Sequence, residues 1–421
     1  MNIPTTKLTK TAVFIVLIGS LFYAYEFFLQ VAPGVMADAL MHAFNVNATI
    51  LGTISGFFYY SYTIMQMPGG FLLDRYGARI VLTIVIAICT LGTLLFSLST
   101  NAFTASIARL IIGAGSGFAF VGALYLIIRW IPIRYLALFI GLAQLLASIG
   151  AIGGEAPLEI MIEHGGWQQA MFVLFVTGVV LTILVALFVR DRPKHYEERA
   201  QHRPKIATTL RAVLGSTQTW YIAVYSFAIW APMTAFAALW GIPFLTQADQ
   251  LTPLAAANAM IFIWLGVAIG SPFIGWISDY FERRCWPLIV AAIIGLLSAM
   301  IVIYKPNLNY DILLLLLFIL GLSASGQSLV FAVIKDNNYV YHSGAANGFN
   351  NMVIVSTGAI FQPLIGKILD LTWSGALHNG VRLYSVHQYQ LALTLLPLVL
   401  FVAIVVSMFF IRETNCVPKQ L

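Results

Sequence analysis

Apolar runs separated by short polar breaks recur along the whole chain, at about 11–40, 48–73, 80–98, 103–128, 135–161, 169–189, 219–246, 255–278, 286–304, 310–334, 343–371 and 388–411. A helix rises 1.5 Å per residue, so about 20 apolar residues cross the hydrocarbon layer of a bilayer. Each run reaches that length with some tilt. The pattern predicts an all-α membrane protein with twelve transmembrane helices. The first run is too long and too aromatic for a cleavable signal peptide and lacks a small-residue cleavage site, so it is expected to stay as a span.

Composition makes a soluble alternative untenable. Of 421 residues, 60% are apolar and 9% are charged; a soluble domain carries roughly 25% charged residues. This excludes an ordinary soluble enzyme, a disordered chain and a nucleic-acid binder. The net charge of +6 reflects 16 acids against 22 Lys and Arg, not a basic surface. Cys89, Cys285 and Cys416 are too few for a disulfide scaffold and are expected as free thiols. Positive charge sets orientation. With the N-terminus inside, Lys305, Lys367 and Arg382 fall outside and Arg109 falls within a span. All other cations, from Lys7 and Lys10 to Arg412 and Lys419, fall inside. Both termini are then cytoplasmic, in what is expected to be a bacterial inner membrane. The basic connection from Arg190 to Gln218 divides the chain into an N-terminal six-helix bundle (1–189), a cytoplasmic linker (190–218) and a C-terminal six-helix bundle (219–421). It reads as a solvated linker touching anionic lipid.

The halves share a motif. Gly70-Phe-Leu-Leu-Asp74-Arg75-Tyr76-Gly77-Ala78-Arg79 follows the second run, and Gly275-Trp-Ile-Ser-Asp279-Tyr-Phe-Glu-Arg283-Arg284 follows the eighth. Glycine, aspartate and the last arginine recur at an offset of 205 residues (275 against 70, 279 against 74, 284 against 79). Parallel repeats of this kind suggest two bundles related by an axis along the membrane normal. The loop pattern, its weaker echo and the twelve-span layout resemble the major facilitator superfamily over the whole chain. The resemblance implies two six-helix bundles with pseudo-two-fold symmetry. It also implies that Gly70, Asp74, Arg75, Gly77 and Arg79, with Asp279 and Arg284 in the second copy, belong to a gate at the cytoplasmic face. Gly70 and Gly77 are expected to permit a tight turn. The second copy has Tyr280 in place of Arg75 and Glu282 in place of Gly77, so a looser gate is expected there.

Away from the span ends, three charges lie within the spans: Glu26, Arg109 and Glu155. Each would cost at least ~2.5 kcal/mol at the bilayer centre facing lipid unpaired, so each must face protein or water. Tyr23, Glu26, Gln30 and Pro33 follow helical spacing and give the first span one polar face. A carboxylate at that depth suits proton coupling, and a structural acid is the alternative. Arg109 opens a stripe with Gly113 and Gly117, spacing that permits close helix packing. By resemblance an arginine in this helix handles substrate or proton. Since arginine keeps its charge, it needs an acid or an anionic ligand. Glu155, a second candidate for proton coupling, is placed to pair with Arg109, as either a functional or a structural bridge. Gly141, Gly150 and Gly154 partly resemble the fifth-span signature of antiporters in the superfamily, but Glu155 stands where that signature has proline.

The second half offers Gln327, Asn347, Asn350 and Asn351 as polar candidates and Tyr221, Tyr225 and Trp230 as aromatic ones. By resemblance, spans 1, 4, 7 and 10 line the cavity. That favours Tyr23, Gln30, Arg109, Tyr225, Trp230 and Gln327 for solute contact and Glu26 for the proton. Lys367 and Asp370 are expected to form an i, i+3 surface pair. There is no phosphate-binding loop, no metal-ligand spacing among the seven histidines and no hydrolytic constellation. The expected function is non-enzymatic: proton-coupled uptake of a small anionic or zwitterionic solute by alternating access. The expected partners are solute, protons and the lipid bilayer, with no cofactor or nucleic acid, for a monomeric protein. The alternative within the fold is an antiporter exporting amphipathic compounds. A non-transporting receptor on the same scaffold is the alternative of another class.

Overall fold

The structure, a computed structural model, describes residues 8–191, 206–339, 342–378 and 380–417. Residues 192–205 of the linker expected at 190–218, with Lys7 and Lys419, lie outside the described residues. Hydrocarbon offers no partner to a backbone N–H or C=O, so a spanning segment must bond within itself, as a helix does. The first half is built from α1 (Lys10–Val35), α2 (Ala37–Phe44), α3 (Ala48–Tyr76), α4 (Ala78–Ser97), α5 (Ala102–Ser116), α6 (Ala119–Trp130), α7 (Leu136–Gly153) and α8 (Ala156–Phe188). The second half continues with α9 (Ile206–Leu214), α10 (Thr217–Ala231), α11 (Gly241–Ala248), α12 (Pro253–Tyr280), α13 (Cys285–Tyr304), α14 (Tyr310–Ala324), α15 (Gly326–Asn337), α16 (Ser343–Leu371), α17 (Val386–Leu393) and α18 (Leu395–Phe409). A two-residue hairpin pairs Leu377–His378 with Val381–Arg382 before α17.

Ten helical stretches of the described residues are long and apolar enough to cross a membrane. One of them, Leu138–Phe188, turns at Gly166, whose φ of 77° is open to glycine and strained for other residues. That turn makes two spans of one, and the 29-residue α3 completes the twelve that the sequence predicts. The spans numbered 1, 4, 7 and 10 in the sequence are all interrupted. Met36 separates α1 from α2, Gly117 and Phe118 separate α5 from α6, and Ser325 separates α14 from α15. In the seventh, Pro232–Trp240 widens into a π-helical stretch between α10 and α11. The fifth and twelfth are interrupted too, at Gly154–Glu155 and at Thr394.

The chain divides into two compact units. The first takes the described residues of Met1–Phe44 and Thr53–Ala200; the second takes those of Asn45–Gly52 and Gln201–Leu421. Within the first, α1 packs on α6, α7 and α8, and α4 packs on α5 and α8. Backbones approach closely where a side chain is missing. A Cβ on Gly113 would stand 2.0 Å from the Phe58 carbonyl oxygen, and one on Gly150 would stand 1.9 Å from that of Ala24. In the second unit α12 crosses α14 in the same way: a Cβ on Gly321 would stand 1.9 Å from the Ile263 carbonyl oxygen. Ile263 follows Phe58 by 205 residues, the offset of the loop motif. The duplication thus preserves a helix crossing as well as a loop.

Two features of the second unit depart from sequence expectation. The π-helical stretch shifts the hydrogen-bond register and leaves the Thr234 carbonyl open to a side chain. Gln362 of α16 donates to it through Nε2 at 2.7 Å, Trp240 returns its indole N–H to the Gln362 carbonyl at 3.0 Å, and Thr234 meets Thr357 at 2.8 Å. The predicted Lys367–Asp370 pair does not form. Asp370 accepts from Arg382 at 3.0 Å, from the Thr49 backbone N–H at 2.8 Å, and from the hydroxyls of Thr49 and Tyr384. Ala48 donates its own N–H to Tyr384 at 3.1 Å, so the opening turn of α3 is capped from within the second unit. The reason is electrostatic: a carboxylate gains more from one helix-start dipole, two hydroxyls and a guanidinium than from one exposed lysine.

The glycines of α7 give a paired test. Gly150→Ala forces α7 off α1 and should lower stability by about 1–3 kcal/mol. Gly141→Ala, with nothing within 4 Å of the added carbon, should raise it by up to about 1 kcal/mol through helix propensity. Thermal unfolding of both variants in one detergent checks the opposite signs.

Candidate functional site

In the first unit α1, α3 and α5 bring together Tyr23, Glu26, Tyr62, Gln66 and Arg109, with burial from complete to nine-tenths. Neither carboxylate oxygen of Glu26 has a hydrogen-bond partner. Arg109 donates one Nη1 bond to the Leu29 carbonyl at 2.7 Å and lies over the Phe58 ring at 4.7 Å, while its Nε and Nη2 bond to nothing. Glu26 and Arg109 act on each other electrostatically but share no hydrogen bond. The bond to Leu29, three residues beyond Glu26, sets the guanidinium about one turn further along α1. The crossing at Gly113 brings α3 close enough for Phe58 to lie under the arginine. Tyr23 turns its hydroxyl to Gln144 of α7 at 3.2 Å, Tyr62 bonds to Gln66, and Gln30 is buried on the same helix as Glu26.

Arg109 does not bond Glu155. Its contacts are Leu29 and Phe58, and it feels Glu26, Tyr59 and Cys89. Glu155 is fully buried at the junction of α7 and α8. There the backbone leaves helical geometry, with φ −101° and ψ −115°, and the Glu155 carbonyl accepts from Glu159. Sequence reasoning passed over Phe58, Tyr62 and Gln66. The signal for the last two was local: Gln66, one turn from Tyr62, is the one carboxamide in the run 48–73.

The second unit is different in kind. Tyr225 is fully buried with its hydroxyl bonded to the Leu288 carbonyl at 2.9 Å, which ties α10 to α13. Trp230 is buried on α10 and Gln327 is half-buried on α15. Asn350 of α16 is fully buried with neither end of its amide bonded. No side-chain charge was expected in mid-span of this half, and Asn350 supplies neutral polarity there.

The duplicated loops close on partners that spacing does not reveal. Gly77 makes the turn between α3 and α4 with φ 83°, and a Cβ there would strike Asp191. Gly70 makes no turn: it lies inside α3 with open space where a Cβ would stand. Asp74 meets Arg129 at 3.4 Å. Arg75 is exposed against Tyr76. Arg79 donates its backbone N–H to Asp191 and its Nε to the Ala186 carbonyl, both at 2.8 Å. The second copy has a network of its own. Arg284 is buried and pairs with Asp336 at 2.9 Å and Asp279 at 2.8 Å. Glu413, beyond α18, accepts the backbone N–H groups of Arg284 and Cys285 at 2.8 Å each. Asp191 and Glu413 therefore do the same work, each capping the helix after its loop from the segment following the sixth span of its half.

The family model described as Major Facilitator Superfamily matches residues 16–363. The chain belongs to the major facilitator superfamily. Over 393 residues it is 24% identical to a protein of Cupriavidus necator named "Probable sulfoacetate transporter SauU", covering 87% of this chain and 89% of that one. Over 394 residues it is 24% identical to the hexuronate transporter of Bacillus subtilis, covering 88% and 91%. A crystal structure of a bacterial homolog to the human lysosomal transporter Spinster, inward-facing and unoccupied, superposes with a TM-score of 0.78 at 15% identity, covering 95% of this chain and 96% of that one. The chain is a multi-pass membrane transporter, not an enzyme.

In this superfamily protein Glu413 offers a titration test. Burial alone would push its carboxyl up, but the N–H groups of Arg284, Cys285, Asn415 and Thr414 outweigh that and hold it below the usual carboxylate range. Such a group stabilises the fold above its unfolded pKa of about 4.3 and loses that effect as pH falls through the lower folded value. Glu413→Gln should therefore lower the melting temperature at neutral pH. The gap from the wild type should narrow only below about pH 4, where the native carboxyl is itself neutral. Thermal unfolding across pH measures it.

Proposed function

We propose that this protein carries a small organic anion across the membrane together with a proton. The observation that supports this reading is the unbonded pair in the first unit: a buried guanidinium with Nε and Nη2 free beside a buried carboxylate with both oxygens free. A guanidinium presents its donors as a fork that matches carboxylate or sulfonate oxygens, and it keeps its charge at any working pH. The names of the relatives fit: sulfoacetate and hexuronate are both organic anions.

Charge counting supplies the coupling. With the site empty, ionised Glu26 and Arg109 sum to zero. An arriving anion makes the sum negative in a region of low dielectric, where an uncompensated charge costs several kcal/mol. A proton on Glu26 restores neutrality, so anion and proton enter and leave together. Phe58 holds the guanidinium from below, and Leu29 fixes one nitrogen, leaving the others for the solute. In this reading the two loop networks stabilise one arrangement of the helix ends: Asp74 with Arg129 and Asp191 with Arg79 in the first, and Arg284 with Asp279, Asp336 and Glu413 in the second. They lie on the cytoplasmic side of an inner membrane, with both termini inside, as the distribution of positive charge argues.

Flux into proteoliposomes with labelled sulfoacetate and a labelled hexuronate tests the reading. Glu26→Gln should abolish accumulation driven by a pH gradient while retaining exchange of internal for external solute. Arg109→Gln should weaken solute binding by about 10- to 100-fold, the worth of charged hydrogen bonds. Gradient-driven accumulation by Glu26→Gln, or unchanged affinity in Arg109→Gln, would refute it.

A further inference from the structure

The second copy of the loop motif carries an exposed ladder of five rings. On α12, Phe273 stacks on Trp276 at 5.8 Å and 26°, and Trp276 stacks on Tyr280 at 5.6 Å and 25°. Around the turn, Tyr280 meets Phe281 edge-on at 5.1 Å, and Phe281 meets Trp286 of α13 at 5.5 Å. All five are at least half exposed. The polar tips of Trp276, Tyr280 and Trp286 make no hydrogen bond among the described residues. By contrast Trp220, nearly as exposed, and Trp130, Trp240 and Trp373 all donate their indole N–H to backbone carbonyls.

The first copy has nothing comparable. At the 205-residue offset its positions are Pro68, Phe71, Arg75, Tyr76 and Val81. The substitutions that break the repeat, Tyr280 for Arg75 above all, are the ones that complete the ladder. They leave the ion pairs of the loop intact, since Arg284 still reaches Asp279 and Asp336.

We infer that this ladder seats the α12–α13 turn in the headgroup layer of the bilayer. Three observations favour lipid over water or a second protein. The ladder closes the span Pro253–Tyr280 and opens the span Cys285–Tyr304, the depth at which aromatic belts lie. It continues the exposed apolar face of the same helices, Ile269 on α12 and Val290, Ile293 and Leu297 on α13. Its polar tips are free to bond to ester and phosphate oxygens, and exposed Arg283 and Glu282 follow on the water side. Phe273 and the ring bodies then take the acyl boundary, while Tyr280 and the two indoles take the polar layer. The same turn presents Arg284 inward, so its depth in the membrane is fixed on one face and its ion pairs on the other.

Tryptophan emission of the full chain in liposomes tests this, comparing wild type with Trp276→Phe/Trp286→Phe. Phenylalanine keeps the rings, and each single variant gives the same reading should the double variant be unstable. The emission lost in the variants belongs to the two indoles. A headgroup nitroxide should quench that component by roughly twofold more than aqueous iodide or chain-end bromines do. Greatest quenching by iodide would place the ladder in water, and greatest quenching by chain-end bromines would place it in the acyl core. Protection from all three would mean another protein surface covers it. Each of those results overturns the inference.

Discussion

An arginine that cannot discharge, enclosed where water is excluded, sets the terms for the first unit. Burying a guanidinium is tolerable only with compensation from several directions. Here a carbonyl on α1, a ring face on α3 and the field of Glu26 each supply a part, and none saturates it. The helices are placed accordingly. Gly113 and Gly117 press α5 against α3, which brings Phe58 beneath the charge, and the bond to Leu29 registers α5 against α1. In the proposed function, the residual donors are the ones the anion uses. A fully satisfied arginine would stabilise the bundle and bind nothing.

The duplication shows which parts of such a bundle are under common constraint. A carbonyl pressed by a glycine on the crossing helix recurs at Phe58 and Ile263, and an acid after the sixth span caps the helix behind the loop in both halves. These are backbone matters, indifferent to solute. The halves diverge where chemistry is specialised. Glu26 and Arg109 sit in the first unit, while the second has the open amide of Asn350 and a widened stretch from Pro232 to Trp240.

Much of this was legible in the chain. Hydrophobic run lengths gave the spans, the repeated loop gave the two-fold plan, and the scarcity of charge singled out Glu26 and Arg109. What escaped was whatever depends on partners distant in sequence. Asp191 bonds Arg79 across 112 residues and Glu413 bonds Arg284 across 129, and no local spacing encodes either. Gly70 and Gly77 look alike in the motif, yet only the second has a positive φ, because the helix runs through the first. The bond from the Tyr225 hydroxyl to the Leu288 carbonyl, 63 residues on, is likewise invisible to spacing. Arg109 finds Leu29 and Phe58 rather than Glu155, a choice that has no linear signature.

The capping of α3 bears on how the chain is made. Its opening turn needs acceptors for the N–H groups of Ala48 and Thr49, and finds them in Tyr384 and Asp370, more than 320 positions downstream. While the ribosome is still producing the second half, those donors have no native partner and must rely on water. The start of the second span therefore reaches its final geometry only after nearly all of the polypeptide has been inserted, making an early helix one of the last to settle.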